Sequence, residues 1–337
     1  MKRNIPLDFF RFLFICVICL WHFNSVATFV KHGYIAVEFF FILSGFYLYK
    51  NYRKNSQEET LDYVLNRCKK LFSPFIISFV LLVLLDRKQY IYMPEEISPD
   101  SILEKYFSHF HELFFCQGIG LTDRVAINHP LWFISVLLFA SGLLHSMLRN
   151  YGQKAINLFI PIIVLVGLSS LLANGGRVNA PNLFSPWMRS GIIRGLSEMG
   201  LGIILSHLFE KEELTFTRYK KVVDFLGVIS FLGFILMILA EGNYDYLSFF
   251  FIPIIIVCCN IQNSVFNKLF GARMWIWFGN LSMYMYFIHL FVACIFWIWL
   301  CNLGISNAIL VVIYLISVIF AAFGLKTASN RLNLNKL

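Results

Sequence analysis

Apolar runs long enough for a membrane helix recur along the chain, and polar residues collect between them. They lie at roughly 5–28, 33–50, 71–86, 129–148, 155–173, 187–209, 221–240, 245–262, 274–300 and 305–325. About 20 mainly apolar residues cover the hydrocarbon as a helix, and a helix satisfies its backbone hydrogen bonds without water. The pattern predicts an all-α, polytopic membrane bundle with about ten transmembrane helices in a single domain, 1–337. One polar interval, about 87–128, is long. It contains "SILEKYFSHFHELFF", whose apolar positions 102, 103, 106, 107, 110, 113 and 114 predict a helix lying on the membrane surface. His109 and His111 in that interval are expected in solvent.

Composition agrees with the membrane assignment. Of 337 residues 58% are hydrophobic and 14% charged, and the mean hydropathy is +0.70, far from a soluble domain. The net charge of +9 follows from topology. With a cytoplasmic N-terminus, 19 Lys and Arg fall in inside segments against 6 outside, so both termini are expected in the cytoplasm. Nucleic-acid binding is not needed to explain the basic balance. The eight cysteines lie mostly within or at the edges of the runs, where a thiol behaves as a small apolar group. Cys16 and Cys19 form a C-x-x-C that no second thiol pair or histidine cluster completes, so no metal is expected. The first run has an arginine inside it and no small-residue cleavage site after it, unlike a signal peptide.

Ionisable residues inside the runs are the first candidates for function, since burying them demands partners or water. They are Arg11, His22, Glu38, Arg189, Arg194, Glu198 and His289, with Asp8 at an edge. Arg11 and His22 are eleven residues apart, so they share a helix face at a separation of roughly 16 Å. His22 and Glu38 fall at similar depths on adjacent antiparallel helices. Asp8 and Arg11 are spaced i, i+3, and Arg194 and Glu198 i, i+4.

Several of these residues sit in patterns similar to those of the integral-membrane acyltransferase family 3, which includes O-antigen and exopolysaccharide O-acetylases and nodulation-factor acylases. "LDFFRFLFICVICLWH" resembles its leading pattern of Leu-Asp, then Arg, ten residues and His. "GYIAVEFFFILSGFYL" resembles its Gly-Val-acidic-Phe-Phe-x-Leu-Ser-Gly-Phe signature, with Ala36 where Gly is usual and Glu38 as the acidic residue. "RCKKLFSP", "HPLWFISVLLF" and "GNLSMYMYFIH" are similar to later segments in the family's order. In the first of these Lys70 stands where a second Arg is common. The second lacks the glutamate that some saccharide acylases carry after the Trp. The family often adds an extracytoplasmic esterase-like domain after the membrane part; this chain stops about a dozen residues after its last run, and no such domain is expected.

The resemblance implies a cell-membrane (inner-membrane) O-acyltransferase that moves an acyl group, acetyl first of all, from acetyl-CoA or another acyl-CoA to a hydroxyl of a surface glycan or its lipid-linked precursor. Such a transfer needs a base to take the hydroxyl proton, and histidine titrates in the right range. His22 is the candidate base, with Glu38 to fix its tautomer. The alternative is that His22 only hydrogen-bonds within the bundle and Glu38 neutralises an arginine. Arg11, with Arg67 and Lys70 at the cytoplasmic mouth, is the candidate site for the CoA phosphates, because guanidinium binds phosphate at two points. Otherwise Arg11 pairs with Asp8, and Arg67 and Lys70 are topological anchors. His129, Trp132, Arg194, Tyr284 and His289 are candidates for the acceptor site, Trp132 and Arg194 having plain alternatives as an interfacial anchor and a partner of Glu198. Ser44-Gly45 reads as a packing seam between helices. The rival classes are a transporter or flippase of a glycan or lipid intermediate, which also buries charges, and a membrane scaffold.

Overall fold

The structure is a computed structural model that describes residues 3–85, 109–121, 125–173, 178, 189–301 and 303–332. Helix α1 spans Ile5–His22. The Asn4 side chain caps it by accepting from the Leu7 amide at 3.2 Å, and Pro6 and Asp8 occupy its first turn, where a missing N–H and a negative charge both suit the helix. The helix stops before its apolar run does. Phe23 closes it with an amide shared between the Cys19 and Leu20 carbonyls, and the amides of Lys31 and His32 then donate to the Ile238 carbonyl at 2.9 and 3.1 Å. His22 is therefore the last residue of α1, at the end of the helix and not six residues before it, as the run 5–28 predicts.

The other helices are α2 (Ala36–Lys54), α3 (Thr60–Leu84), α4 (Trp132–Tyr151), α5 (Ile160–Ala173, preceded by a π-turn, Ala155–Phe159), α6 (Ser190–Arg218), α7 (Lys220–Leu239), α8 (Ser248–Asn260), α9 (Val265–Leu269), α10 (Met274–Trp299) and α11 (Asn307–Leu332). No strand occurs among the described residues. Seven helical stretches among them are long and apolar enough to cross a membrane: α1, α6, α7, α10, α11, His129–Tyr151 and Ala155–Ala173. The other three expected runs coincide with helices that fall short of that standard. Helix α2 carries Glu38, Lys50, Arg53 and Lys54, α3 carries Asp62, Arg67, Lys69 and Lys70, and α8 has 13 residues.

Helices α2 and α6 make the most extensive pairing. Glycine permits it: a Cβ on Gly45 would lie 1.9 Å from the Met199 carbonyl oxygen, and one on Gly202 would lie 2.0 Å from that of Ile42. The Ser44-Gly45 seam is thus matched by a glycine on α6. Helices α1 and α10 pair in the same way, with Gly279 against Asp8. Helices α5, α7 and α11 lie at the periphery and expose Leu165, Phe225, Leu236 and Phe320, as lipid-facing helices do.

Only the end of the predicted surface helix falls within the described residues. Residues 101–108 lie outside the described residues, and the remainder forms a 3-10 turn, Phe110–Phe114, closed by Phe115 in the left-handed region (φ 57°). Phe110 and Phe114 are exposed, but His109 is buried, contrary to expectation, and its Nδ1 lies 2.6 Å from Oε1 of buried Glu112. Pairing is what permits that burial.

Candidate functional site

Helices α1, α2, α3, α4 and α10 enclose a cavity of about 370 Å³. Arg11, Arg67 and Lys70 line it together with Asn51; further along stand Ile18, Val37, Phe133, Ile134 and Tyr286. Val37 and Asn51 are fourteen residues apart on α2, so the cavity extends over roughly 21 Å of that helix. One end is cationic and the other apolar.

The cations at the first end are held loosely or not at all by carboxylates. Asp8, the alternative partner for Arg11, is taken chiefly by Arg3, whose Nε and Nη2 lie 2.5 and 3.0 Å from its two oxygens. That hydrogen bond raises the Arg3 pKa above its ordinary value. Arg11 is left at 3.6 Å from Asp8. Arg67 lies over the Tyr63 ring, 4.9 Å from its centroid, and its Nη1 is buried without a hydrogen-bond partner.

Beyond the apolar end stand three histidines. His22 Nδ1 is 3.0 Å from the carbonyl of Ile18, a residue of the cavity wall. A carbonyl only accepts, so Nδ1 carries the proton and Nε2 the lone pair. His289, buried in α10, is fixed the same way: its Nδ1 is 2.7 Å from the carbonyl of Tyr286, also on the wall. That leaves His289 Nε2 as an acceptor, 3.3 Å from His22 Nδ1. The His129 ring centroid is 5.5 Å from that of His22. His129 opens a 3-10 turn, His129–Leu131, whose neighbours are pinned: Asn128 Nδ2 donates to the Phe287 carbonyl at 3.2 Å, and the Tyr286 hydroxyl donates to the Pro130 carbonyl. Among the described residues no group of three or more His, Cys, Asp and Glu side chains is arranged to hold a metal ion.

Glu38 does not meet His22. Its Oε2 accepts from Arg194 Nε at 2.9 Å and from Nη2, and its Oε1 is buried without a partner. Arg194 also donates to Glu198 at 3.2 Å, to the Tyr34 carbonyl at 3.1 Å and to the Val178 carbonyl at 3.3 Å, and its guanidinium lies 5.5 Å from the Trp132 ring centroid. The i, i+4 pair is real, and it has recruited a second carboxylate from α2. The reason is the glycine seam, which brings α2 and α6 close enough for a direct Glu38–Arg194 contact. Glu38, Arg194 and Glu198 are all fully buried, and none of them lines the cavity.

Of the other predicted residues, Trp132 packs on Arg194 and Tyr284 is half-buried; neither is on the cavity wall. The tyrosine of α10 that does reach it is Tyr286. Tyr286 is not among the residues predicted from sequence, although its i, i+3 spacing from His289 puts the two on one face. Asn128 and Glu112 carried no signal, since their contacts are made by loops: Glu112 Oε1 also accepts from the Ile127 amide at 3.0 Å, next to Asn128.

The Acyl_transf_3 family, described as an acyltransferase domain, matches residues 4–327. No curated protein and no solved structure matches the chain.

Proposed function

Because the chain belongs to the Acyl_transf_3 family and is a multi-pass membrane acyltransferase, we propose that it transfers an acyl group, acetyl first of all, from acyl-CoA to a hydroxyl of a surface glycan or its lipid-linked precursor in the cell membrane. The comparison gives no support to a transporter. On this reading α2, α3 and α8 cross the bilayer along with the seven long apolar stretches, both termini are cytoplasmic, and residues 1–337 act as one domain.

The observation that carries the reading is the polarity of the cavity. Arg11, Arg67 and Lys70 stand at the end assigned to the cytoplasm, and the apolar end closes on the two carbonyls that hold His22 and His289. A thioester carrier with phosphates at one end and a slender arm at the other matches that gradient. The phosphates meet the cations, and the arm lies along Ile15, Ile18 and Phe40 with the thioester toward His22.

His22 Nε2 then takes the proton of the acceptor hydroxyl as its oxygen attacks the thioester carbonyl. Collapse of the tetrahedral intermediate breaks the C–S bond, and the imidazolium returns the proton to the departing sulfur, leaving an ester and free CoA. The tautomer that this requires is set by the Ile18 carbonyl and not by Glu38. His289 Nε2 faces the same Nδ1–H and stabilises the imidazolium by accepting from it. His129 and the face of Trp132 border the acceptor, and Glu38, Arg194 and Glu198 act behind them as a rigid buried brace.

The test is release of CoA thiol from acetyl-CoA by the purified protein, dependent on acceptor glycan. His22→Ala should abolish it while CoA still binds, since losing the base affects the transition state more than donor binding. Wild-type turnover in that variant would remove His22 from the mechanism.

A further inference from the structure

Arg67 owes its place on the cavity wall to residues that do not touch the cavity. Tyr63 precedes it by one helical turn on α3, and the guanidinium lies over that ring at 4.9 Å. His145 of α4 lies parallel to the ring, with centroids 4.3 Å apart and 8° between planes. Thr60 Oγ1, one turn further back on α3, is 3.0 Å from His145 Nδ1 and ties the histidine to the same helix. Helix α4 comes this near because Gly142 faces Val64, where a Cβ would stand 3.1 Å from Val64 Cγ2.

The polar atoms of this cluster are unusual. Tyr63 Oη, His145 Nε2 and Arg67 Nη1 are all buried without a hydrogen-bond partner. Buried polar atoms normally find one. The nearest polar neighbour of the tyrosine hydroxyl is Ser141, whose own hydroxyl donates to the Leu138 carbonyl at 3.1 Å, so the tyrosine ring is the useful part. A guanidinium resting on an aromatic face keeps its N–H edge in plane and clear of the ring. That edge is the one that makes a two-point contact with a phosphate.

We propose that Tyr63 and His145 are positioning residues that hold the Arg67 guanidinium edge-on to the cavity, so that its unpaired arm meets an anionic group of the acyl donor. This rests on the reading of the cavity as the donor site. Lys70, one turn along and on the same wall, supplies a charge without a fixed direction; Arg67 supplies the direction.

The experiment measures Kd for CoA and kcat with acetyl-CoA for the full chain in lipid nanodiscs. Tyr63→Leu should weaken CoA binding about tenfold, the worth of a partly desolvated cation–π contact, with kcat changed less than twofold. Tyr63→Phe should restore wild-type binding. Arg67→Ala should weaken it at least as much, and Tyr63→Leu added to Arg67→Ala should cost nothing more, as expected of two residues acting through one contact. If Arg67→Ala weakens binding and Tyr63→Leu does not, the positioning role is overturned and the donor site stands. If Arg67→Ala leaves binding unchanged, the donor contact itself fails. Should Tyr63→Leu not fold, His145→Leu carries the test: CoA binding weakened about threefold supports the stack, and unchanged binding overturns it.

Discussion

Single residues in this protein are defined by which of several possible partners they have taken. Arg11 and Arg194 are both in-span arginines with a carboxylate one helical turn away, yet they end differently. Asp8 is engaged by Arg3, which leaves Arg11 on the cavity wall; Arg194 is enclosed by two carboxylates and two carbonyls. Substitution should separate them. Arg11→Lys is expected to weaken CoA binding with little loss of thermal stability, since an ammonium cannot reproduce a two-point phosphate contact; unchanged affinity with impaired folding would return Arg11 to Asp8. Arg194→Met is expected to cost about 3–5 kcal/mol of stability, because it leaves two buried carboxyls without their cation. Glu198→Gln keeps the Glu38–Arg194 pair and should stay within about 1 kcal/mol of wild type in the same unfolding measurement.

Helix pairs carry the next level of specificity. The α2–α6 contact depends on the absence of two side chains, at Gly45 and Gly202, where a Cβ would overlap a carbonyl oxygen of the facing helix. Backbone cannot yield as a flexible side chain can, so the two helices must separate. Gly202→Val is therefore expected to destabilise by about 1–3 kcal/mol or more and to lengthen the Glu38–Arg194 contact. Loss of acyl transfer should accompany loss of folded protein in thermal scans. Wild-type melting of Gly202→Val would show that the seam is looser than its geometry. Part of the seam was legible in the chain as Ser44-Gly45. The partner glycine was not, because small residues are common in membrane helices and only contact says which of them face each other.

At the scale of the molecule the proposal is a path from one side to the other, with donor cations at the cytoplasmic end of the cavity and the histidines toward the outer leaflet. Vesicles oriented with the cytoplasmic face outside should acetylate an acceptor enclosed in the lumen when acetyl-CoA is added to the bath. Acceptor modified only on the acetyl-CoA side would move the site to the cytoplasmic mouth. On the proposed ten-span topology with a cytoplasmic N-terminus, 19 basic residues would fall inside against 6 outside, which favours the first outcome, since such cations resist transfer across the bilayer.

The sequence by itself determined what needs only local physics. Runs of apolar residues make helices in lipid whatever surrounds them, so the all-helical character and the positions of α4, α7, α10 and α11 were readable. Arg11 and His22 could be singled out because a polar group inside such a run is costly anywhere, whereas Lys70, just before the third run, was marked only by the family-like segment around it. Tertiary structure decided the partnerships. Glu38 pairs with Arg194 on a helix about 156 positions away and not with His22 at equal depth, because depth fixes one coordinate and helix packing fixes the other two. His22 takes its tautomer from the Ile18 carbonyl, and His109 is buried against Glu112 in a short turn that the apolar periodicity did not foretell. Which charge neutralises which depends on where helices touch, and that is set by side chains, such as the missing ones of Gly45 and Gly202, far along the chain from the charges themselves.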